Sequence, residues 1–325
     1  MAGVYENAQV GKREDLSDVI ANIDRKNTPL LSRIKVGKKL VRAVFDWQME
    51  SYPEPRTEGV VDGKDADAWE VITTRALAHN TAQKWWRLPR VSDFAEEVSD
   101  VAGVRSEMAK QTKDALVMLK RDIEKTLCLD SRDCQLDDGS KGYQTRALGT
   151  WIQTGAQSLY PVDERFRPPA AQIDSTAVAS VTETTLSNIA KSIWDNAGAA
   201  MDLWCPIGST LKQQISTFAA YQQSGVTDLR RVEGEANAVR MMVDIVANDF
   251  ATFHFVLSPF LFGDTAHGDK RCYILDMNQL ELRYNRRPRV KPIENKGGGP
   301  RAIVDAIAGL CVKNPLGLAK MVATS

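Results

Sequence analysis

The chain has 325 residues, a length that predicts one large globular domain or two ordinary ones. Of these residues, 43% are hydrophobic and 26% are charged, and this composition excludes a disordered chain. Lysine plus arginine number 42, as do aspartate plus glutamate, so the formal net charge is zero. A zero balance argues against a nucleic-acid coat or a membrane-surface protein held by bulk electrostatic attraction, and it removes the repulsion that keeps copies of a protein apart.

No segment predicts secretion or membrane insertion. Residues 1–16 are polar and of mixed charge, and no stretch approaches the roughly 18 apolar residues of a membrane span. The cysteines are odd in number and scattered, so we expect reduced thiols in a cytoplasmic setting: Cys128, Cys134, Cys205, Cys272 and Cys311.

Residues 1–40 predict an arm that lies on another surface. Within Asp15–Ile23 the apolar residues share one face of a short helix, and Thr28-Pro29 ends it. From residue 26 to residue 39 the chain carries only basic charges, at Lys26, Arg33, Lys35, Lys38 and Lys39.

Residues 41–90 predict a long two-stranded ribbon. Residues 41–50 alternate apolar and polar side chains, residues 52–68 hold prolines, glycines and seven charges typical of a mobile loop, and residues 69–90 form a second extended run. The ribbon carries four of the seven tryptophans: Trp47, Trp69, Trp85 and Trp86. A two-stranded ribbon cannot bury that much indole, so it packs either on its own domain or on a neighbouring copy.

The strongest helical signal follows the ribbon. Ser92 or Asp93 can cap a helix whose apolar residues recur on one face as far as Leu127, with no proline and with Gly103 as its only glycine. We therefore expect one continuous helix over most of residues 95–127. A helix of about 35 residues would be roughly 50 Å long.

The remaining chain mixes helices and strands. Periodicity predicts helices at 183–198 and 211–218, and strands near 239–245, 251–257, 271–275, 280–285 and 302–312. The basic run of residues 286–291 is broken by a proline, and residues 296–300 read as a flexible connector.

Patterns typical of catalysis are absent. His79, His254 and His267 do not have zinc-binding spacing, and there is no nucleophile elbow or phosphate-binding loop. Gly297–Gly299 precedes a proline instead of a helix start, so it is not a dinucleotide fingerprint. The sequence predicts no enzyme, no metal and no cofactor.

This order of elements resembles the major capsid proteins of tailed bacteriophages, of the podophage and siphophage type, which have the α+β Johnson fold. The resemblance is carried by several segments along the chain: GKREDLSDVIANIDRKNTPLLSRI (11–34), FDWQME (45–50), NTAQKWWRLPRVSD (80–93), LKRDIEKTL (119–127), WCPIGSTLKQQIS (204–216) and LCVKNPLGLAKM (310–321). The strand near residue 245 departs from that family because it lacks the usual glycine.

The resemblance implies a domain layout. Residues 1–40 would be the N-terminal arm and residues 41–92 an extended E-loop. Residues 93–144 and 286–325 would form a P-domain, with a long spine helix and a terminal strand. Residues 145–285 would form the A-domain.

The resemblance also implies a function. The protein would self-assemble as hexamers and pentamers of an icosahedral shell that encloses a double-stranded DNA genome, in the virion, after assembly in the host cytoplasm. The E-loop would contact the adjacent subunit through Trp47, Glu58, Lys64, Trp69, Trp85 and Trp86, and Lys64 is also the candidate for a covalent cross-link. The basic residues of the arm would face DNA and bind it without sequence specificity.

Further implied partners are a portal protein and a decoration protein, and no membrane is involved. Because no long helical segment precedes the arm, the resemblance also implies either a separate scaffolding protein or an arm that replaces it. Two alternatives remain open at this level. A cellular nanocompartment shell has the same fold and encloses enzymes instead of DNA. An α/β enzyme is the other.

Overall fold

A computed structural model describes residues 28–65, 69, 74–98, 106–197, 202–217, 244–261 and 268–323. The helices are α1 (Pro29–Arg33), α2 (Asp93–Val98), α3 (Glu107–Leu127), α4 (Leu148–Trp151), α5 (Glu183–Ala197) and α6 (Ser209–Thr217). The strands are β1 (Lys35–Val36), β2 (Val44–Ser51), β3 (Thr74–Thr81), β4 (Gln83–Arg87), β5 (Ile173–Asp174), β6 (Asp202–Ile207), β7 (Ile245–Ala247), β8 (Thr252–Leu257), β9 (Arg271–Leu275), β10 (Leu280–Ile293), β11 (Arg301–Val312) and β12 (Leu318–Val322).

These strands form three sheets. One sheet has four strands in the order β1-β10-β11-β4, and a second has six in the order β5-β12-β9-β6-β8-β7. The pair β2 and β3 forms a separate ribbon. The helices and strands predicted at 183–198, 211–218, 251–257, 271–275 and 302–312 are confirmed to within a few residues. A strand is also predicted at residues 239–245. Residues 239–243 lie outside the described residues, and β7 begins at Ile245, the last residue of that prediction.

The centre of the molecule is the contact between α3 and the four-stranded sheet. On α3, Leu119, Ile123 and Leu127 are fully buried at the four-residue spacing that puts them on one face. They share one core with Val304, Ala306 and Ala308, alternate residues of β11. The small alanine side chains leave room for the helix, and each buried leucine or isoleucine contributes about 1.5–3 kcal/mol.

The prediction of one continuous helix over residues 95–127 is wrong. Ser106 has extended backbone angles (φ −148°, ψ 113°), and its hydroxyl accepts the N–H of Ala109 at 3.2 Å, so α3 begins at residue 107. Glu96 on α2 accepts the Ser106 hydroxyl at 2.6 Å and the Met108 N–H at 2.9 Å. These hydrogen bonds satisfy the first-turn donors of α3, and this capping outweighs the apolar periodicity that continues through the break.

The described part of the arm packs on its own chain. Leu30, Ile34 and Leu40 are buried, and β1 pairs in parallel with β10. The carboxylate of Glu124, on the buried face of α3, accepts the backbone N–H groups of Leu30 at 2.8 Å and Leu31 at 2.7 Å. Those donors belong to the first turn of α1, where no helical partner exists. The helix predicted at residues 15–23 lies outside the described residues.

The six-stranded sheet separates two cores. Its strands β6, β9 and β12 are buried on both faces, as in sheets covered on each side. Tyr273 and Leu275 face the α3 core, while Cys272 and Ile274 face a second core built with α5 and α6. The Tyr273 hydroxyl donates to the carbonyl of Leu129 at 3.0 Å, which fixes this sheet to the end of α3.

Two strands depart from the sequence interpretation. The basic run of residues 286–291 lies inside β10, which extends to Ile293 and pairs with β11 through bulges. Strand β11 is not terminal, because β12 follows and pairs with β9 of the six-stranded sheet. Strand β12, which the sequence interpretation placed in the P-domain, therefore belongs to the six-stranded sheet, whose other strands it placed in the A-domain.

Glu124 gives a pH prediction for the free subunit. Burial raises its pKa from 4.5 to about 7, against the lowering effect of the Leu30 and Leu31 N–H groups. Between these values the native state keeps a proton that the unfolded chain releases, so the free energy of unfolding falls as the pH rises through this range. We expect a loss of about 3 kcal/mol between pH 4.5 and pH 7.5 that Glu124→Gln lacks, measured by denaturant unfolding at both pH values. Identical pH dependence in both proteins would contradict this assignment.

Candidate assembly surface

The ribbon is fixed rigidly at its base. β2 and β3 pair over eight residues, from Val44 opposite Thr81 to Ser51 opposite Thr74. Phe45 lies against Gly309, where a Cβ atom would come within 2.5 Å of the ring, so only glycine leaves room for it. The Asn80 side chain donates to the carbonyl of Leu310 at 2.6 Å. The direction of the ribbon is therefore set by contacts with β11.

The predicted alternation of β2 is confirmed over most of the strand. Phe45 and Met49 are buried and Trp47 is partly buried, while the residues between them are exposed. Val41 and Ala43, predicted on the same inner face, precede the strand and are exposed. They border an open pocket of about 430 Å³ at the base of the ribbon, which the sequence did not reveal.

Two of the four ribbon tryptophans pack in their own chain. Trp85 is 6% exposed, and its indole N–H donates to the Thr126 hydroxyl at 3.1 Å. Trp47 lies with its ring centroid 5.5 Å from that of Trp151. The expectation that Trp85 contacts a neighbouring subunit is therefore wrong: β4 pairs with β11, not within the ribbon, and Trp85 faces α3.

The other two tryptophans are open to solvent. Trp69 is 93% exposed in the loop, and Trp86, which follows Trp85 and so faces away from α3, is 56% exposed. The Lys84 ammonium lies 5.1 Å from the centre of the Trp86 ring. The predicted loop residues Glu58 and Lys64 are also exposed.

The loop presents further apolar side chains to water. Tyr52, Val60 and Val61 are each more than 70% exposed. Monomeric proteins rarely expose several large apolar residues in one segment, and such a group marks an interaction site. The ribbon thus holds a charged loop with several exposed apolar side chains away from a base that packs on β11.

The basic residues of the arm face solvent. Arg33, Lys35, Lys38 and Lys39 are exposed, and the Lys35 ammonium donates to the side chain of Asn278 at 2.6 Å. Lys26 lies outside the described residues. The four described basic residues therefore lie on a segment whose apolar side chains pack on β10 and α3.

Nothing in the described ranges gathers three or more metal-binding side chains, and none of the helices described there is both long and apolar enough to cross a bilayer. All five cysteines are free and buried. Burial raises the pKa of the Cys134 thiol to about 11 and that of Cys311 to about 12, so these thiols stay protonated and unreactive at neutral pH.

A family model and three solved structures that are similar to this chain are all of capsid proteins. A family model described as SU10 major capsid protein matches residues 3–325. The fold is similar to the capsid structure of cyanophage P-SCSP1u, with a TM-score of 0.64, 13% identity, and coverage of 99% of this chain and 97% of that chain. It is also similar to the capsid of cyanophage A-1(L), with a TM-score of 0.63, 12% identity and 99% coverage of both chains.

The capsid of Myoviridae phage XM1 gives a TM-score of 0.61 at 11% identity and covers 97% of this chain and 100% of that chain. At these identities the structural similarity establishes the fold. No curated protein shows significant similarity to the sequence.

The two adjacent tryptophans should respond very differently to truncation. Trp85→Ala should lower the free energy of unfolding of the subunit by about 3–5 kcal/mol, because it leaves a cavity beside α3 and removes the hydrogen bond from the indole N–H to the Thr126 hydroxyl. Trp86→Ala should change it by less than about 0.5 kcal/mol, because its ring faces water. Denaturant unfolding followed by circular dichroism measures both. Equal losses would mean that the pairing of β4 with β11 is wrong.

Proposed function

The chain belongs to the SU10 major capsid protein family, and on this premise we propose that its copies are held together in the shell chiefly by the E-loop. The protein is the major capsid protein of a phage and is a component of the virion. The Johnson-type α+β fold expected from the sequence is confirmed.

One observation carries the proposal. The loop between β2 and β3 keeps Tyr52, Val60, Val61 and Trp69 in water while the base of the ribbon is packed on β11. Apolar side chains that are exposed on a segment with a packed base gain free energy by burial against a neighbour. Buried aromatic anchors typically contribute about 2 kcal/mol or more each to an interface. Within this proposal the interface residues of the earlier expectation reduce to Glu58, Lys64, Trp69 and Trp86.

The remaining features of the proposal follow from the family. Hexamers and pentamers would form an icosahedral shell around double-stranded DNA, with assembly in the host cytoplasm and with portal, scaffolding and decoration proteins as partners. The layout of arm, E-loop, P-domain and A-domain is proposed with two changes: β4 joins the P-domain, and β12 joins the A-domain sheet. The exposed Arg33, Lys35, Lys38 and Lys39 support loose DNA contacts by the arm.

Membership of a structural capsid family favours this function over the two alternatives. A nanocompartment shell has the same fold, but the matching family is one of phage capsids. For an enzyme, the described residues offer no metal cluster, and their cysteine thiols are buried.

Removing the loop should separate folding from assembly. Replacing Tyr52–Ala68 with a short Gly-Ser bridge should leave a soluble subunit with unchanged circular dichroism, because residues 52–65 are exposed and lie outside both cores. Closed shells should be lost or become irregular in sedimentation and electron microscopy. A Gly-Ser replacement of Thr154–Ala156, another exposed turn, serves as the control and should assemble normally. Normal shells from the loop deletion would refute the E-loop as the main contact.

A further inference from the structure

Two tryptophans and two arginines stack on one another at the base of the ribbon. Trp47 of β2 has its ring centroid 5.5 Å from that of Trp151, the last residue of α4. The guanidinium of Arg146 lies 4.8 Å from the centre of the Trp151 ring, and that of Arg283 on β10 lies 5.8 Å from the centre of the Trp47 ring. We call these four residues the Trp–Arg stack. It joins the ribbon, α4 and the four-stranded sheet.

Each member of the Trp–Arg stack carries a buried N–H group that has no hydrogen-bond acceptor in the described residues. These groups are Nε1 of Trp47, Nη1 of Arg146, Nε1 of Trp151 and Nε of Arg283. Arg146 and Trp151 are 0% exposed, so bulk water does not reach them. A buried donor without an acceptor loses its hydration and gains nothing in return, and native proteins contain few such groups. Four of them on residues in contact indicate that an acceptor binds there.

The ion pairs of the two arginines leave one positive charge without a partner. Asp133 balances Arg146, with 2.6 Å between its Oδ1 and the arginine Nε. Arg283 and Lys313 share the single carboxylate of Glu281, at 3.5 Å and 2.6 Å. Three bases and two acids thus give a net charge of +1. Because a buried charge is unfavourable without a counter-charge, one monovalent anion would complete this balance.

The partner that fits these groups accepts hydrogen bonds and donates none. Tryptophan and arginine side chains carry donors and no acceptors, so a water molecule among them would find no side-chain acceptor in the stack for its own hydrogen atoms. The buried side-chain oxygens that lack a partner in the described part of the chain adjoin or belong to the six-stranded sheet instead: Gln172, Asp174 and Ser258. A halide ion accepts N–H groups from several directions and has no hydrogen atoms to place.

We propose that the Trp–Arg stack binds a small monovalent inorganic anion such as chloride, beside the contact of Trp47 with Trp151. The ion would accept the indole N–H groups of both tryptophans and an N–H group of Arg146. Its binding would connect β2 to α4 and so hold the base of the ribbon in place. The inference concerns a single subunit, and its failure would leave the proposed E-loop contact unaffected.

Chloride titration of the full-length subunit tests the binding. Potassium chloride replaces potassium gluconate at constant ionic strength, and unfolding is induced with urea because guanidinium chloride would add the ligand. Above the Kd for chloride, the ratio of unfolded to folded protein should fall about tenfold for each tenfold rise in chloride. A ratio that does not change with chloride would overturn the inference.

Removing the donors while keeping the rings tests the location. Trp47→Phe with Trp151→Phe leaves two aromatic rings in the stack without an indole N–H group, and this variant should lose the chloride response. Trp204→Phe is the matched control, because Trp204 is 7% exposed in the same core and its N–H group is not one of the buried donors without an acceptor. The control should respond like the parent. A chloride response that survives in the double variant would place the ion elsewhere and overturn the inference.

A direct measurement of bound chloride keeps the test independent of variant stability. The chloride NMR line should be broader with the parent than with the double variant at equal protein concentration, and bromide should narrow it by competition. If the double variant does not fold, Trp47→Phe alone, which changes a partly buried ring, should weaken chloride binding about tenfold. Phenylalanine variants that match or exceed the parent in stability at every chloride concentration would show that water or no ligand occupies the stack, which contradicts the proposal.

Discussion

The packing of α3 against β11 is the constraint on which the rest of the subunit depends. Leu119, Ile123 and Leu127 require a flat apolar surface, and the alanines at 306 and 308 supply it by bringing the sheet close to the helix. The other parts of the molecule attach to this pair. The arm binds α3 through Glu124, the six-stranded sheet binds its end through Tyr273, and the ribbon rests on β11 through contacts at Gly309 and Leu310.

A buried arginine joins these attachments. The Arg146 side chain is fully buried, with its Nε 2.6 Å from Asp133 and its guanidinium 4.8 Å from the centre of the Trp151 ring. Its backbone N–H donates to Asn80 in the ribbon at 2.8 Å. Breaking one side of a buried ion pair typically costs about 3–5 kcal/mol, because the remaining charge is left without a partner. This network therefore favours a rigid base from which the loop between β2 and β3 projects.

Charge is segregated although it sums to zero. The loop of residues 52–65 is acidic, and the face of the four-stranded sheet that points away from α3 is basic through Lys84, Arg289 and Lys291. Net charge taken alone argues against strong DNA binding, and it does not reveal this distribution. The distribution follows from strand pairing, which brings residue 84 beside residue 307 and residue 291 beside residue 303.

Patterns within single segments of the sequence predict most of the local elements and the family. The alternation from Phe45 to Met49, the helical faces of α5 and α6, and the long apolar run of β11 follow from periodicities of two or 3.6 residues within one segment. The order of these elements was enough to identify a capsid fold. Only the tertiary contacts show that α3 begins at Glu107, because Glu96 accepts hydrogen bonds from Ser106 and Met108. They also show that Trp85 is core while Trp86 is surface, because β4 pairs with β11. They place β12 beside β9 as well. These features depend on contacts between residues far apart in the chain. A local pattern shows which side of a segment is buried, but it does not show which residues cover that side.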